Sequence, residues 1–166
     1  MHVSVPSTRE VARLLRSEMM EVRGCTEPAA IAYAALTARR ALGRPFRITK
    51  AHVIVEVSEA VYRNGSTAIV PVLKARGIPI AVLAGLYSRA RGFNPFANIS
   101  PAAFTHDLTN MDWIEVRQVD KPGIYIRLRL KMGAHSSSTT IAHRHDCVLS
   151  IARDVHLIYR KRPPKS

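Results

Sequence analysis

A run of small apolar residues from Ala29 to Ala41 constrains this chain most, because a helix of that composition has to be buried. Thr26 can cap its N-terminus, and Pro28 suits the first helical turn, where a missing N–H costs nothing. Glu27 is expected at the positive end of the helix dipole. Gly43 follows the run and predicts the end of the helix. The sequence therefore predicts a buried helix rather than one lying on the surface.

Cys25 immediately precedes this helix. The positive field of a helix start lowers the pKa of a thiol and favours the thiolate, the form that attacks electrophiles or binds metal. A small buried cysteine beside an ordinary cap is the alternative, because free cysteine is among the most buried residue types. The residues alone leave both interpretations open.

Composition indicates one cytoplasmic domain. The chain has 166 residues, of which 47% are hydrophobic, enough for a sizeable core. No apolar run approaches the roughly 18 residues of a membrane span, and charged residues interrupt the N-terminal region where a signal peptide would need an apolar segment. Two cysteines do not make a disulfide framework. We expect a domain over residues 1–159, a basic flexible tail over 160–166, and no membrane partner.

The net charge of +13 is large for a chain of this size. It indicates either contact with an anionic partner or simply a solvated basic face. Aromatic residues make up only 6% of the chain, which gives little material for stacking against bases. The composition therefore disfavours nucleic acid as a partner but leaves it open.

Apolar periodicity predicts three further helices. The first covers Ser7–Val22 and forms an N-terminal helical pair with the buried helix. Another begins at Gly77 and continues to about Ala90, and a short one runs from Ser100 to near Asn110.

Segments rich in β-branched residues predict strands. One or two lie within Ile48–Tyr62, and Asn64-Gly65 predicts a tight turn into a returning strand over Ser66–Leu73. The last third predicts antiparallel sheet, in which Asp120–Gly123 forms a turn between two strands. Its predicted strands are Trp113–Val119, Ile124–Met132, Ser137–His143, Cys147–Ala152 and Val155–Tyr159. The predicted fold is α+β, with an antiparallel or mixed sheet and helices on one face.

Three histidines in this region are candidate site residues. His143 and His145 are two positions apart, which would place them on one face of an extended strand, where they could chelate a metal with Cys25 or His135. Two exposed histidines are the alternative. His135, followed by Ser136, is expected near a strand end, where a histidine bonded to backbone is the ordinary interpretation.

An ordered set of motifs resembles the N-terminal region of the L-cysteine desulfidases and the related iron–sulfur L-serine dehydratases. The motifs are Gly24–Ala29, Val55–Ser58, Asn64-Gly65, Val70-Pro71, Gly77–Ala81 and Gly133–Ser136, with His145 after them. The resemblance implies a serine dehydratase β-domain-like fold. It also implies an amino-acid lyase that breaks a carbon–sulfur or carbon–oxygen bond in L-cysteine or L-serine, and a [4Fe–4S] cluster for which Cys25 is a metal ligand.

The resemblance further implies which residues touch the substrate: Thr26, Glu27, Asn64, His135, Ser136 and His145. The other cluster cysteines of that family belong to a C-terminal helical domain without a counterpart here. The expectation is a truncated or split lyase, inactive alone, with a separate helical subunit as partner; a homo-oligomer is also open. Because Glu59-Ala60 and Val72-Leu73 replace the family's small loop residues, the alternative is a non-catalytic module whose basic surface binds an acidic partner or nucleic acid.

Overall fold

The computed structural model describes residues 26–70, 73–89 and 107–162, together with residues 7, 9, 95, 96 and 99. The predicted helix over Ser7–Val22 and the predicted ligand Cys25 lie outside the described residues, apart from Ser7 and Arg9. The described helices are α1 (Glu27–Leu42), α2 (Glu59–Thr67) and α3 (Ile78–Tyr87). The described strands are β1 (Ala51–Val57), β2 (Ile69–Val70), β3 (Ala75–Arg76), β4 (Ile114–Gln118), β5 (Tyr125–Met132), β6 (His135–Ala142), β7 (Val148–Arg153) and β8 (His156–Arg160).

Six of these strands form one mixed sheet in the order β4-β1-β5-β6-β7-β8. β1 and β4 are parallel, whereas every other neighbouring pair is antiparallel. β2 and β3 form a separate two-stranded ribbon. The prediction of an α+β fold with a mixed sheet is confirmed.

The predicted buried helix is α1, which Gly43 closes in the left-handed conformation, with φ of 68°. α1 packs against β5, β6 and β7, and its apolar residues join Val53, Val55 and Val57 of β1 in one core. None of the helices that the structure describes is long and apolar enough to cross a membrane.

α1 and α3 approach each other closely at Gly85. A Cβ atom added to Gly85 would lie 2.0 Å from the carbonyl oxygen of Ala32. The guanidinium of Arg39 donates hydrogen bonds to the carbonyl oxygens of Leu86 and Ser88, both at 2.5 Å, at the end of α3. α3 ends at Tyr87, before the predicted end near Ala90. Of the short helix predicted from Ser100, the described residues include a 3₁₀ turn over Asp107–Thr109.

The predicted turn at Asn64-Gly65 is wrong, because both residues lie inside α2. Ser58 caps this helix by accepting a hydrogen bond from the backbone N–H of Val61. Gly65 is buried against Ile31 and Ile78, where the lack of a side chain permits close packing. A capped helix with a buried glycine therefore overrides the local turn signal. Of the returning strand predicted over Ser66–Leu73, the described residues contain only the two-residue strand β2.

The strands on either side of Asp120–Gly123 exist, but they do not pair with each other. β1 lies between them, and β4 runs parallel to β1, so the prediction that this region is wholly antiparallel is wrong. The connection crosses the end of β1, where the hydroxyl of Ser58 donates to the carbonyl oxygen of Gly123 at 2.7 Å. The long-range parallel pairing decides this arrangement, and local turn chemistry cannot reveal it.

Apolar and basic residues alternate in the sequence of β5, a pattern that predicts one buried and one exposed face, and the strand has both faces. Ile126, Leu128 and Leu130 are fully buried on the side of the core. On the opposite face, Arg127 and Lys131 are exposed, and Arg129 between them is half-buried. A guanidinium nitrogen of Arg129 lies 3.3 Å from the carboxylate of Glu56 on β1.

Candidate functional site

Three of the predicted substrate-binding residues meet at the end of the sheet where β1 terminates. Nε2 of His145 lies 3.1 Å from Oε1 of Glu27. The side-chain amide of Asn64 donates a hydrogen bond to the same oxygen at 3.3 Å. Glu27 and His145 are partly buried, with 22% and 23% of their side-chain surfaces exposed. These residues come from α1, α2 and the turn after β6, and we refer to them as the Glu27–Asn64–His145 cluster.

Two helices bring the acidic and amide groups to this end of the sheet. Thr26 is the N-cap residue of α1 in an extended conformation, and its carbonyl oxygen accepts the first helical hydrogen bond from Ala30. Glu27 therefore occupies the first helical position, where the dipole favours a negative charge. Asn64 lies in α2, which starts directly after β1 at Ser58.

The turn between β6 and β7 holds His145. The backbone N–H of His143 bonds to the carbonyl oxygen of Ile124, and the N–H of Cys147 bonds to the carbonyl oxygen of Arg144. His143 has a φ of 73°, which bends the chain out of the extended conformation. The predicted arrangement of His143 and His145 on one strand face is therefore wrong, and His143 is exposed.

The surroundings of Glu27 lower the pKa of its carboxyl group. Burial alone would raise this pKa. Four interactions lower the pKa by more than burial raises it. They are the bond from the backbone N–H of Glu27, the side-chain contact with His145, the bond from the Asn64 amide, and the charge of His145. Glu27 is therefore ionised at neutral pH, and the cluster contains a fixed negative charge.

This negative charge lies beside one imidazole nitrogen of His145. A carboxylate oxygen 3.1 Å from Nε2 favours the tautomer that has its hydrogen on Nε2. A carboxylate that orients an imidazole in this way is a common arrangement where histidine acts as an acid or a base.

The structure does not bring His135 and Ser136 to this cluster. Asp154 lies beside both residues: its Oδ1 atom is 3.8 Å from Nδ1 of His135 and accepts a hydrogen bond from the N–H of Ser136 at 3.0 Å. They lie at the start of β6, beside the C-terminal end of α1, where Ser137 bonds to Ala38. Because α1 has 16 residues, this end is roughly 24 Å from Glu27.

The remaining predicted site residues have separate positions. Thr26 is exposed beside Glu27. Cys25 lies outside the described residues, so its role as a cluster ligand stays a prediction. Among the described residues, no group of three or more His, Cys, Asp or Glu side chains could hold a metal ion. Ser58 caps and so positions α2; its signal in the sequence is a serine directly before the acidic residue Glu59.

The chain is similar to proteins named UPF0597. One from Nitratidesulfovibrio vulgaris is 30% identical over 156 residues, which cover 90% of this chain and 34% of the relative. One from Treponema denticola is 24% identical over 155 residues, covering 90% and 35%. One from Aeromonas hydrophila is 30% identical over 149 residues, covering 85% and 32%. The chain spans about a third of the length of these relatives.

These relatives correct the family interpretation. Their shared name denotes a family distinct from the L-cysteine desulfidases and the L-serine dehydratases, so the resemblance to those enzymes is wrong. The truncated or split lyase expected from it is wrong as well, and the alternative of a basic binding module has no support from the relatives. No family model matches the chain, and no solved structure matches it.

Proposed function

We propose that the Glu27–Asn64–His145 cluster binds a small polar molecule and that His145 exchanges a proton with it. The observation that carries this proposal is the 3.1 Å approach of Nε2 of His145 to the ionised carboxylate of Glu27. Structural ion pairs are frequent on protein surfaces, whereas here side chains from three distant segments converge on one partly buried carboxylate oxygen, whose pKa is shifted.

The chemistry of the cluster suggests the class of ligand. With hydrogen on Nε2, the neutral imidazole of His145 accepts a proton at Nδ1, so the complementary group is a hydroxyl or an amine. Glu27 stays ionised and stabilises the imidazolium that results. Asn64 holds the carboxylate by donating to Oε1, which fixes the direction from which Glu27 faces the ring.

Rigid elements support such a role. Glu27 and Asn64 are carried by helices, and the turn that carries His145 is tied to the start of β5 through the bond from His143 to Ile124. Side chains held by helices and a fixed turn keep their relative positions better than side chains on free loops. Proton exchange needs that constancy because it depends on short heavy-atom distances.

A ligand titration followed by NMR of the histidine rings tests the proposal. The probes are lactate and glycine, which carry a hydroxyl and an amine, with acetate as the matched molecule lacking both. We expect lactate or glycine to shift the Nδ1 signal of His145 saturably, acetate to leave it in place, and Glu27→Gln to weaken the response. The exposed His143 is the internal control. Equal responses to acetate, or no response to lactate and glycine, would overturn the proposal.

A further inference from the structure

Cys147 and Lys161 form a close pair that the Glu27–Asn64–His145 cluster does not use. Nζ of Lys161 donates a hydrogen bond to Sγ of Cys147 at 3.3 Å. Cys147 directly precedes β7, and Lys161 directly follows β8, which pairs with β7 along the sheet. Two reactive groups from different strands are thus in contact near one end of an antiparallel pair.

The backbone holds the lysine in this position. The N–H of Lys161 bonds to the carbonyl oxygen of Leu149 at 2.7 Å, which extends the β7–β8 pairing past Arg160. The N–H of Cys147 is in turn bonded to Arg144 within the preceding turn. The side-chain contact therefore rests on two anchored backbone positions.

We infer that Cys147 and Lys161 form an oxidative modification site, at which a peroxide leads to a covalent bond between Sγ and Nζ. The inference does not rest on the proposed function of the Glu27–Asn64–His145 cluster. The oxidant is hydrogen peroxide or a related small hydroperoxide.

The reaction has two balanced steps. Sγ attacks one peroxide oxygen and the O–O bond breaks, which gives a sulfenic acid on Cys147 and one water; the sulfur is oxidised and the peroxide reduced. Lys161 then loses a proton to solvent, and its neutral amine attacks the sulfenic sulfur. The S–N bond forms, the S–O bond breaks, and the hydroxyl leaves as a second water with one of the two amine protons, while the other stays on nitrogen. The product is a sulfenamide, which a thiol reductant reopens.

The burial of Cys147 favours this outcome over other thiol chemistry. Only 9% of the residue's surface is exposed, so a small peroxide has better access than a bulky thiol such as glutathione. Cys147 is the free cysteine among the described residues. Once its sulfur is oxidised, the amine of Lys161 is the nucleophile already in contact with it.

Mass spectrometry of the full chain tests the inference, in a Cys25→Ser background that removes the other thiol. After treatment with hydrogen peroxide, we expect a peptide that joins Cys147 to Lys161 and has lost two hydrogens, about 2 Da, relative to the separate peptides. A thiol reductant should restore the starting mass. Lys161→Arg keeps the positive charge, yet should abolish the linked peptide and leave a sulfenic acid that dimedone traps when the oxidised chain is unfolded in its presence. Lys131→Arg, on the exposed face of β5, is the matched control and should keep the link.

Two results would overturn the inference. One is oxidation of Cys147 to sulfinic or sulfonic acid while Lys161 stays unmodified. The other is an equal yield of linked peptide from Lys161→Arg and its parent. Circular dichroism of each variant before oxidation shows whether the fold is retained. If Lys161→Arg does not fold, acetylation of lysines in the folded Cys25→Ser chain replaces it and should abolish the link; an undiminished link would count against Lys161.

Discussion

Nε2 of His145 lies 3.1 Å from Oε1 of Glu27, although one residue begins α1 and the other lies in the turn after β6. The contact joins the buried helix to the end of the sheet. It also links the ionisation of a carboxyl group to the folded structure, because the pKa of Glu27 is lowered there. Stability at this end of the molecule and the proton exchange that we propose therefore depend on the same two side chains.

The stability contributed by Glu27 should fall in acid. Because its folded pKa is below its ordinary value of 4.5, the contribution is fully present above that value and is lost as pH falls through the folded pKa. We expect the difference in free energy of unfolding between wild type and Glu27→Gln to be larger at about pH 6 than at about pH 3. Urea unfolding at both pH values measures it. A difference that grows in acid would contradict the lowered pKa.

Gly85 should tolerate no side chain. A Cβ there meets the carbonyl oxygen of Ala32 at 2.0 Å, so Gly85→Ala has to push α1 and α3 apart, at a cost of about 3 kcal/mol or more. Gly65→Ala is the matched control. Its Cβ meets side-chain atoms of Ile78 at 3.1 Å and Ile31 at 3.2 Å, which can shift, and alanine favours the helix by about 1 kcal/mol. Equal melting temperatures for Gly85→Ala and Gly65→Ala would refute the close contact between α1 and α3.

Thr139 offers a stabilising substitution. Its Oγ1 is buried in the core, and within the described residues it has no hydrogen-bond partner. Thr139→Val removes an unsatisfied hydroxyl at similar volume, so we expect a gain of about 1 kcal/mol in the free energy of unfolding. Ser137→Ala is the contrast, because it loses the bond from Ser137 to the carbonyl oxygen of Ala38 and should cost about 1 kcal/mol. Chemical denaturation measures the free energy of unfolding of both variants. A higher value for Ser137→Ala than for Thr139→Val would exclude this explanation.

Local patterns predicted the elements whose signals are contained within a few residues. The small apolar run and Gly43 predicted α1 and its end, and the alternation from Ile126 to Lys131 predicted the two faces of β5. These signals succeed because capping, helix burial and strand alternation depend on neighbours in sequence.

The failures have long-range causes. Asn64-Gly65 has the chemistry of a turn, yet packing of Gly65 against Ile31 and Ile78 keeps both residues in α2. The parallel pairing of β1 with β4 depends on strands far apart in the chain. The family resemblance named six residues. Thr26, Glu27, Asn64 and His145 share one end of the sheet, whereas His135 and Ser136 lie elsewhere.

The titration of the Glu27 carboxyl group, followed by carbon NMR, tests the central claim most directly. We predict a pKa below 4.5 in the wild type, a rise in His145→Asn and a smaller rise in Asn64→Ala. His143→Asn is the control, because asparagine accepts the positive φ of this exposed position, and it should leave the Glu27 pKa unchanged. A wild-type pKa at or above 4.5, or one that His145→Asn does not raise, would show that His145 does not stabilise the Glu27 carboxylate.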